Sequence, residues 1–352
     1  MFRLLALIFL CLPFQAFAET MRIPCDFQYG ASCYSWEIAK ELGFLPSYVE
    51  LLPSSTGAEQ VAYHRSGKVD AISHPGAMFQ CGLNGERSLK NECVTVGITF
   101  KKPDWLILTN DTFMSFVGSR FAGTGCGGYP TTIPLVLSVL SGGTTIPPLN
   151  CTAERVPGAI TFVSGLPAPV RIQKILAREV EAGNATIELA ARYQARIEAN
   201  DPEVKGLKVF APLERMPNIP SAGLAIAAVL RDDPITRRHV QEVMCAHVRV
   251  VRFAHDPNES LRFEALVEKV VARNHPNRLW SKREVQILSE YLKTGWSEDG
   301  RFSDMEKVKS LYYGVHDAMI HPTLRTSASQ TIGEFWSKGR HAPFWDFSWT
   351  CS

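Results

Sequence analysis

The sequence predicts an α/β protein of two lobes, with parallel-rich sheets and flanking helices, on three observations. Short apolar strands alternate with short helices near the N-terminus, and such crossovers favour a parallel sheet because each must pass over one sheet face. The chain has 352 residues, enough for two domains of ordinary size. A stretch rich in Gly, Thr and Pro, from Ser119 to Pro148, interrupts the alternation and sets the middle of the chain apart.

At the N-terminus, Arg3 precedes an apolar run from Leu4 to Leu12, and Ala16-Phe17-Ala18 has the small-x-small form read by signal peptidase. The run is well short of the roughly 20 residues that span a bilayer, so residues 1–18 are expected to be a cleaved signal peptide. Bulky Ile8, Phe9 and Leu10 before Cys11 do not fit a lipobox. Removing 18 of the 352 residues leaves 334, and the formal charge falls from +2 to +1 because only Arg3 is lost. That balance, without a basic block, gives no hint of nucleic acid. Every later apolar stretch is broken by Gly, Pro or charge before it reaches membrane-spanning length.

The mature chain keeps eight cysteines: Cys25, Cys33, Cys81, Cys93, Cys126, Cys151, Cys245 and Cys351. An even number in an exported chain favours disulfides. Sequence leaves the connectivity open; local closure would join Cys25 to Cys33, Cys81 to Cys93 and Cys126 to Cys151, and Cys245 to Cys351 would tie the tail to a helix. Neither a CxxC nor a His pair at helical spacing supports a metal site, so none is expected.

Arg22 to Phe27 reads as the first strand. Ser35 to Leu42 follows as a helix, with Trp36, Ile38, Ala39 and Leu42 near a 3.6 period and Gly43 at its end. Tyr48 to Leu52 is the second strand, Thr56 and Glu59 form a capping box opening a helix that Gly67 closes, and Lys68 to Ser73 begins the third strand. Val94 to Phe100 and Trp105 to Leu108 are further apolar runs, and a helical segment lies around Leu135 to Leu140. Ala159 to Val163 reads as a strand, Pro169 to Glu181 as a helix ending at Gly183, and residues 184–191 as another strand. Leu207 to Ala211 and Gly223 to Leu230 return toward the start. Helices then cover Thr236 to Val251, Ser260 to Arg273 and Ser281 to Leu292. Lobe 1 is expected from residues 19–104 and 212–352, and lobe 2 from the inserted residues 105–211.

Five short motifs carry a family resemblance. They are Glu41-Leu42-Gly43-Phe44 before Val49-Glu50-Leu51, Gly57-Ala58-Glu59-Gln60, Ser66-Gly67-Lys68-Val69-Asp70-Ala71, Pro103-Asp104-Trp105-Leu106 and Ile219-Pro220-Ser221-Ala222-Gly223-Leu224. In this order the chain resembles the nitrate, sulfonate and thiamine-precursor class of ABC-transporter solute-binding proteins. The Asp-Leu-Lys-Gly segment that usually starts lobe 2 is replaced by Ser119 to Gly128. The resemblance implies a type II Venus-flytrap fold, a periplasmic location and a small anionic or heteroaromatic ligand held between the lobes. It also implies delivery to an ABC permease with its ATPase, by a monomer without cofactor or catalysis. The alternatives are a ligand sensor for a membrane receptor, or a pyrimidine-precursor enzyme of the thiamine branch.

In open α/β sheets ligands bind beyond the carboxyl ends of strands, which directs attention to the loops there. In lobe 1 those loops offer Gln28, Tyr29 and Ser32, then Ser54 and Ser55 at a helix start that favours an anion, then His74. In lobe 2 they offer the glycine-rich segment with Gly125, Tyr129 and Thr131 before a helix, which lacks the Lys and spacing of a P-loop. Ser164 follows the next strand, Glu188 is placed to meet a cationic group, and Arg215, Asn218 and Ser221 lie near the return crossing. Cap and turn chemistry explains the Ser pair equally well. The aromatic tail, Phe335-Trp336 and Phe344 to Trp349, is expected to pack as a docked C-terminus.

Overall fold

The computed structural model describes residues 20–26, 33–54, 56–74, 93–123, 133–134, 137–138, 149–152, 154–216, 218–302, 346–349 and 351. Residues 1–18, expected to be a signal peptide, Cys81, Cys126 and the tail aromatics before residue 346 lie outside the described residues.

The N-terminal alternation runs β1 (Met21–Cys25), α1 (Tyr34–Glu41), β2 (Val49–Pro53), α2 (Gly57–Arg65) and β3 (Ala71–Ile72). β1 and β2 pair in parallel from Met21 opposite Val49 to Cys25 opposite Pro53. The Thr56 hydroxyl caps α2 by accepting the Glu59 N–H at 3.1 Å, while the Glu59 carboxylate accepts the Tyr63 hydroxyl. β4 (Cys93–Phe100) is buried along its whole length. It pairs antiparallel with β11 (Ala222–Ala227), which also pairs with β3. The Asp70 N–H donates to the Arg22 carbonyl at 2.9 Å, setting β1 beside this second sheet.

The other lobe's sheet is built only from residues 105–209. It has the order β10 (Lys208–Val209), β5 (Trp105–Thr109), β9 (Ala182–Thr186), β6 (Arg120–Ala122), β8 (Ile160–Val163), β7 (Leu149–Asn150). β9, β6, β8 and β7 are mutually parallel, and β5 and β10 join antiparallel at one edge. α3 (Ala168–Leu176) and α4 (Ile187–Glu198) flank it. The chain leaves the first sheets after β4 and returns to them through β11.

One segment differs from the sequence reading. The helix begun at Ala168 ends at Leu176, not Glu181, and residues 187–191 are helix, not strand. Arg178 makes the turn at φ 58, with no glycine to mark it. Gly183 lies inside β9, where an added Cβ would stand 3.0 Å from the Ala122 carbonyl oxygen, so it serves close packing and not capping. Thr186 caps α4 through the Leu189 N–H. The apolar positions beyond it give too short a run for periodicity to separate a buried strand from a helix.

The C-terminal helices are α5 (Pro234–His255), α6 (Ser260–Asn274) and α7 (Lys282–Gly295). Asp233 caps α5, and Ser281 with Glu284 forms a full capping box on α7. α1 is tied to α6 by Arg273, which pairs with Glu37 at 3.0 Å and Glu41 at 2.6 Å. α7 packs across α4, where Arg283 pairs with Glu198 at 2.7 Å, and its end lies along β4 through the Ser297 N–H to the Thr99 carbonyl. The helices pack over two hydrophobic clusters, one centred on the six-stranded sheet and including residues of α1, α5, α6 and α7, the other between β1, β4, β11, α1 and α5. Among the described residues no helix is long and apolar enough to cross a membrane.

Disulfides join Cys25 to Cys33 and Cys245 to Cys351, and Cys93 and Cys151 are also disulfide-bonded. The second bridge fixes the tail, where Trp349 is buried and Asp346 pairs with Arg231 at 3.2 Å.

Candidate functional site

A buried polar cluster forms where the chain crosses between the sheets. Asp26 follows β1, Tyr34 opens α1, Asp104 ends the outward crossing, Glu188 lies in the first turn of α4 and Ser221 ends the return crossing. Tyr34 and Asp104 are 2% exposed, Glu188 3% and Ser221 0%. Tyr34 faces Glu188, Ser221 faces Asp104, and the charges of Asp26 and Glu188 act on Asp104. The Tyr34 hydroxyl thus lies against the Glu188 carboxyl and the Ser221 hydroxyl against Asp104, at approaches short of good hydrogen-bond geometry. Buried polar groups are normally well hydrogen-bonded, so this loosely paired polar set at the crossing is the candidate site.

The electrostatics follow from burial among acids. Burial pushes the Glu188 carboxyl up to about 7, against its own backbone N–H and the Thr186 hydroxyl, which favour the charged form. Burial, then the charge of Glu188, raises Asp104 well above the usual carboxylate range. Burial, with Glu188 and Glu37 nearby, raises Tyr34. No described Lys or Arg pairs with Asp104 or Glu188; Arg278 is bonded to Glu284 at 2.9 Å and lies 3.8 Å over the Trp280 ring. Lobe 2 also buries Arg171, which donates to the Asn184 carbonyl at 2.8 Å and lies 5.0 Å over Trp105.

A second polar set braces the loops after β2 and β3. Gln60, fully buried on α2, donates to the Ser54 hydroxyl at 3.0 Å and the Ser73 hydroxyl at 3.3 Å. Its carbonyl accepts the N–H groups of Ser73 at 3.0 Å and His74 at 2.9 Å. The Ser54 hydroxyl is therefore engaged in bracing the loop, as turn chemistry allows. Burial holds the His74 ring at about 4, hence neutral at pH 7.

Of the residues expected from sequence, Glu188 lies in the cluster, and Ser54 and His74 sit on the Gln60 brace. Ser164 and Asn218 are exposed. Gln28, Tyr29, Ser32, Ser55, Gly125, Tyr129 and Thr131 lie outside the described residues. Asp26, Tyr34, Gln60 and Arg171 were missed. Asp104 and Ser221 stood in the two crossing motifs, which were the available signal.

This architecture is that of the two-lobed periplasmic binding proteins. The periplasmic aliphatic sulphonate binding protein SsuA of Escherichia coli superposes with a TM-score of 0.60 at 12% identity, covering 90% of this chain and 96% of that one. The alkanesulfonate-binding protein SsuA of Xanthomonas axonopodis pv. citri, bound to MOPS, gives 0.55 at 14% identity, covering 86% and 93%. The ligand-binding component of an ABC-type import system of Staphylococcus aureus, with zinc bound, gives 0.53 at 12% identity, covering 87% and 93%. At these identities the likeness establishes the fold. No protein-family model matches the sequence, and no curated protein matches it significantly.

Proposed function

We propose that this protein is an exported solute-binding protein that closes two lobes, residues 19–104 with 212–352 and residues 105–211, around a small organic molecule. The observation that carries this reading is the buried polar cluster at the lobe crossing, beyond the ends of β1 and β9. The fold supports it, since its solved examples include binding components of ABC import. The strand-end loops with Gln28, Tyr29, Ser32 and Ser55, and those with Gly125, Tyr129 and Thr131, would complete the walls. Hinge closure would then present the loaded monomer to an ABC permease and its ATPase in the periplasm, after cleavage of residues 1–18. Of the anionic and heteroaromatic solutes that the resemblance implies, the acid-rich crossing favours one bearing nitrogen. Native mass spectrometry of freshly purified mature protein tests the reading. A small-molecule adduct that is lost on unfolding supports it; bare protein that takes up no solute from a periplasmic extract overturns it.

A further inference from the structure

We infer that the groove between α4 and the start of α7 is a binding site for a small dianion, a phosphate or a dicarboxylate. This goes beyond the solute-binding reading and does not rest on the polar cluster at the lobe crossing. The groove has a volume of about 1040 Å³, and its walls come from residues 192–201 on one side and 277–284 on the other.

The charges on these walls do not balance. Arg192, Arg196, Arg278 and Arg283 line the groove together with three carboxylates. Each carboxylate is already claimed by a guanidinium of the same walls: Asp201 by Arg196 at 2.6 Å, Glu198 by Arg283 at 2.7 Å and Glu284 by Arg278 at 2.9 Å. Arg192 is left over, half-buried and without an ion pair or hydrogen bond among the described residues. Lys282, exposed beside the wall, has none among them either. Arg278 is held in place, its guanidinium 3.8 Å over the Trp280 ring. Burial lowers the Arg278 pKa from its ordinary value, and the charge of Arg192 adds to that against the pull of Glu284. Two guanidinium groups that repel each other on one groove are relieved by an anion between them.

The chemistry of the walls selects the ligand. A guanidinium offers five N–H donors in a fork that fits phosphate and carboxylate oxygens. Glu284 engages only one amino group of Arg278, and Glu198 only the Nε of Arg283, so both keep donors besides those of Arg192. The Ser281 and Glu284 N–H groups are spent on the α7 capping box, which leaves recognition to side chains. The excess guanidinium and Lys282 carry two positive charges, which a phosphate monoester or a dicarboxylate matches. Leu279 is the one large apolar side chain on the described walls, so an apolar ligand has little to hold it. Because α4 flanks the six-stranded sheet while the end of α7 lies along β4, a bound dianion would also tie the two parts together.

The test uses the mature full chain with its disulfides intact, in about 0.15 M salt. Calorimetric titration and melting temperature are read with inorganic phosphate, pyrophosphate and succinate, against acetate and neutral succinamide. The inference expects at least one of the first three to bind with a Kd below about 1 mM and to raise the melting temperature. Arg192→Gln should weaken that binding about tenfold or more, and Arg192→Lys, which keeps the charge without the fork, by less. Arg252→Gln, which removes an exposed guanidinium of α5 outside the groove, should leave it within about twofold. Without anion each variant should melt close to the parent, because none loses a described partner. No binding below about 1 mM, equal binding of acetate, or equal weakening by Arg252→Gln overturns the inference and leaves an adventitious ion only. Dianion binding that Arg192→Gln does not weaken also overturns it; an anion held elsewhere in this way leaves the solute-binding reading intact.

Discussion

Glu188→Gln should stabilise the unliganded protein in alkaline solution and change it little in acid. Glu188 is 3% exposed, and burial raises its carboxyl from 4.5 to about 7. In acid below about pH 4.5 the group is protonated in both folded and unfolded chains, so its contribution is fully present there. As pH rises through about 7 that contribution is lost, because the unfolded chain ionises freely while the folded one must ionise away from water. A shift of about 2.5 units corresponds to about 3 kcal/mol by pH 8, and Gln, which mimics the neutral acid, avoids it. Urea unfolding followed by tryptophan fluorescence from pH 4.5 to 8.5 would measure the difference between the two proteins. His74 and His247, both held at about 4, act in the opposite direction as pH falls, but they are common to both proteins and cancel. Parallel stability profiles, within about 0.5 kcal/mol across the range, would refute the reasoning by showing Glu188 solvated or ion-paired.

Gln60→Leu should cost about 2–4 kcal/mol, since it strands the buried N–H of Ser73 and that of His74; a loss below about 0.5 kcal/mol in urea unfolding would contradict the brace. Gly223→Ala should destabilise by about 1–3 kcal/mol, because a Cβ there would lie 2.3 Å from the Gly97 carbonyl oxygen; an unchanged melt would show the β4–β11 approach to be looser. Cys351→Ser opens a bridge spanning 106 residues and should cost about 2–4 kcal/mol, measured against the parent under oxidising conditions; equal stability would mean the docked tail holds without it. His247, bonded through Nε2 to the Ser297 carbonyl at 2.8 Å, should stay neutral to about pH 4 in an NMR titration. Its contribution is present above about pH 6.5 and is lost as pH falls through about 4, and an ordinary titration near pH 6.5 would contradict its burial.

The fold was legible because its signals are local. The apolar positions of α1, the Thr56 cap and the sheet-length run at β4 all lie within a few residues of one another. The errors near Arg178 and Ile187 came where those signals fail, at a turn made by arginine and at a short apolar run. The site was less legible for a different reason. Glu188 was singled out as a partner for a cation although its segment was taken for a strand, since an acid after a strand is a feature either way. Asp104 was visible only within a crossing motif, and Ser221 only as one of the polar residues near the return crossing. Asp26 and Tyr34 have nothing unusual around them in sequence; only the approach of β1, α1, the two crossings and α4 puts them against Glu188. Gln60 was read as part of a family motif, whereas its value lies in four hydrogen bonds to residues on two other loops.

A crystal structure of the mature protein carrying its co-purified solute tests the central claim most directly. Density for one small molecule between the two sheets, within hydrogen-bond reach of Asp104, Glu188, Tyr34 and Ser221, is the predicted result. A solute bound elsewhere, or those four groups satisfied by ordered water while the solute lies apart from them, would contradict it.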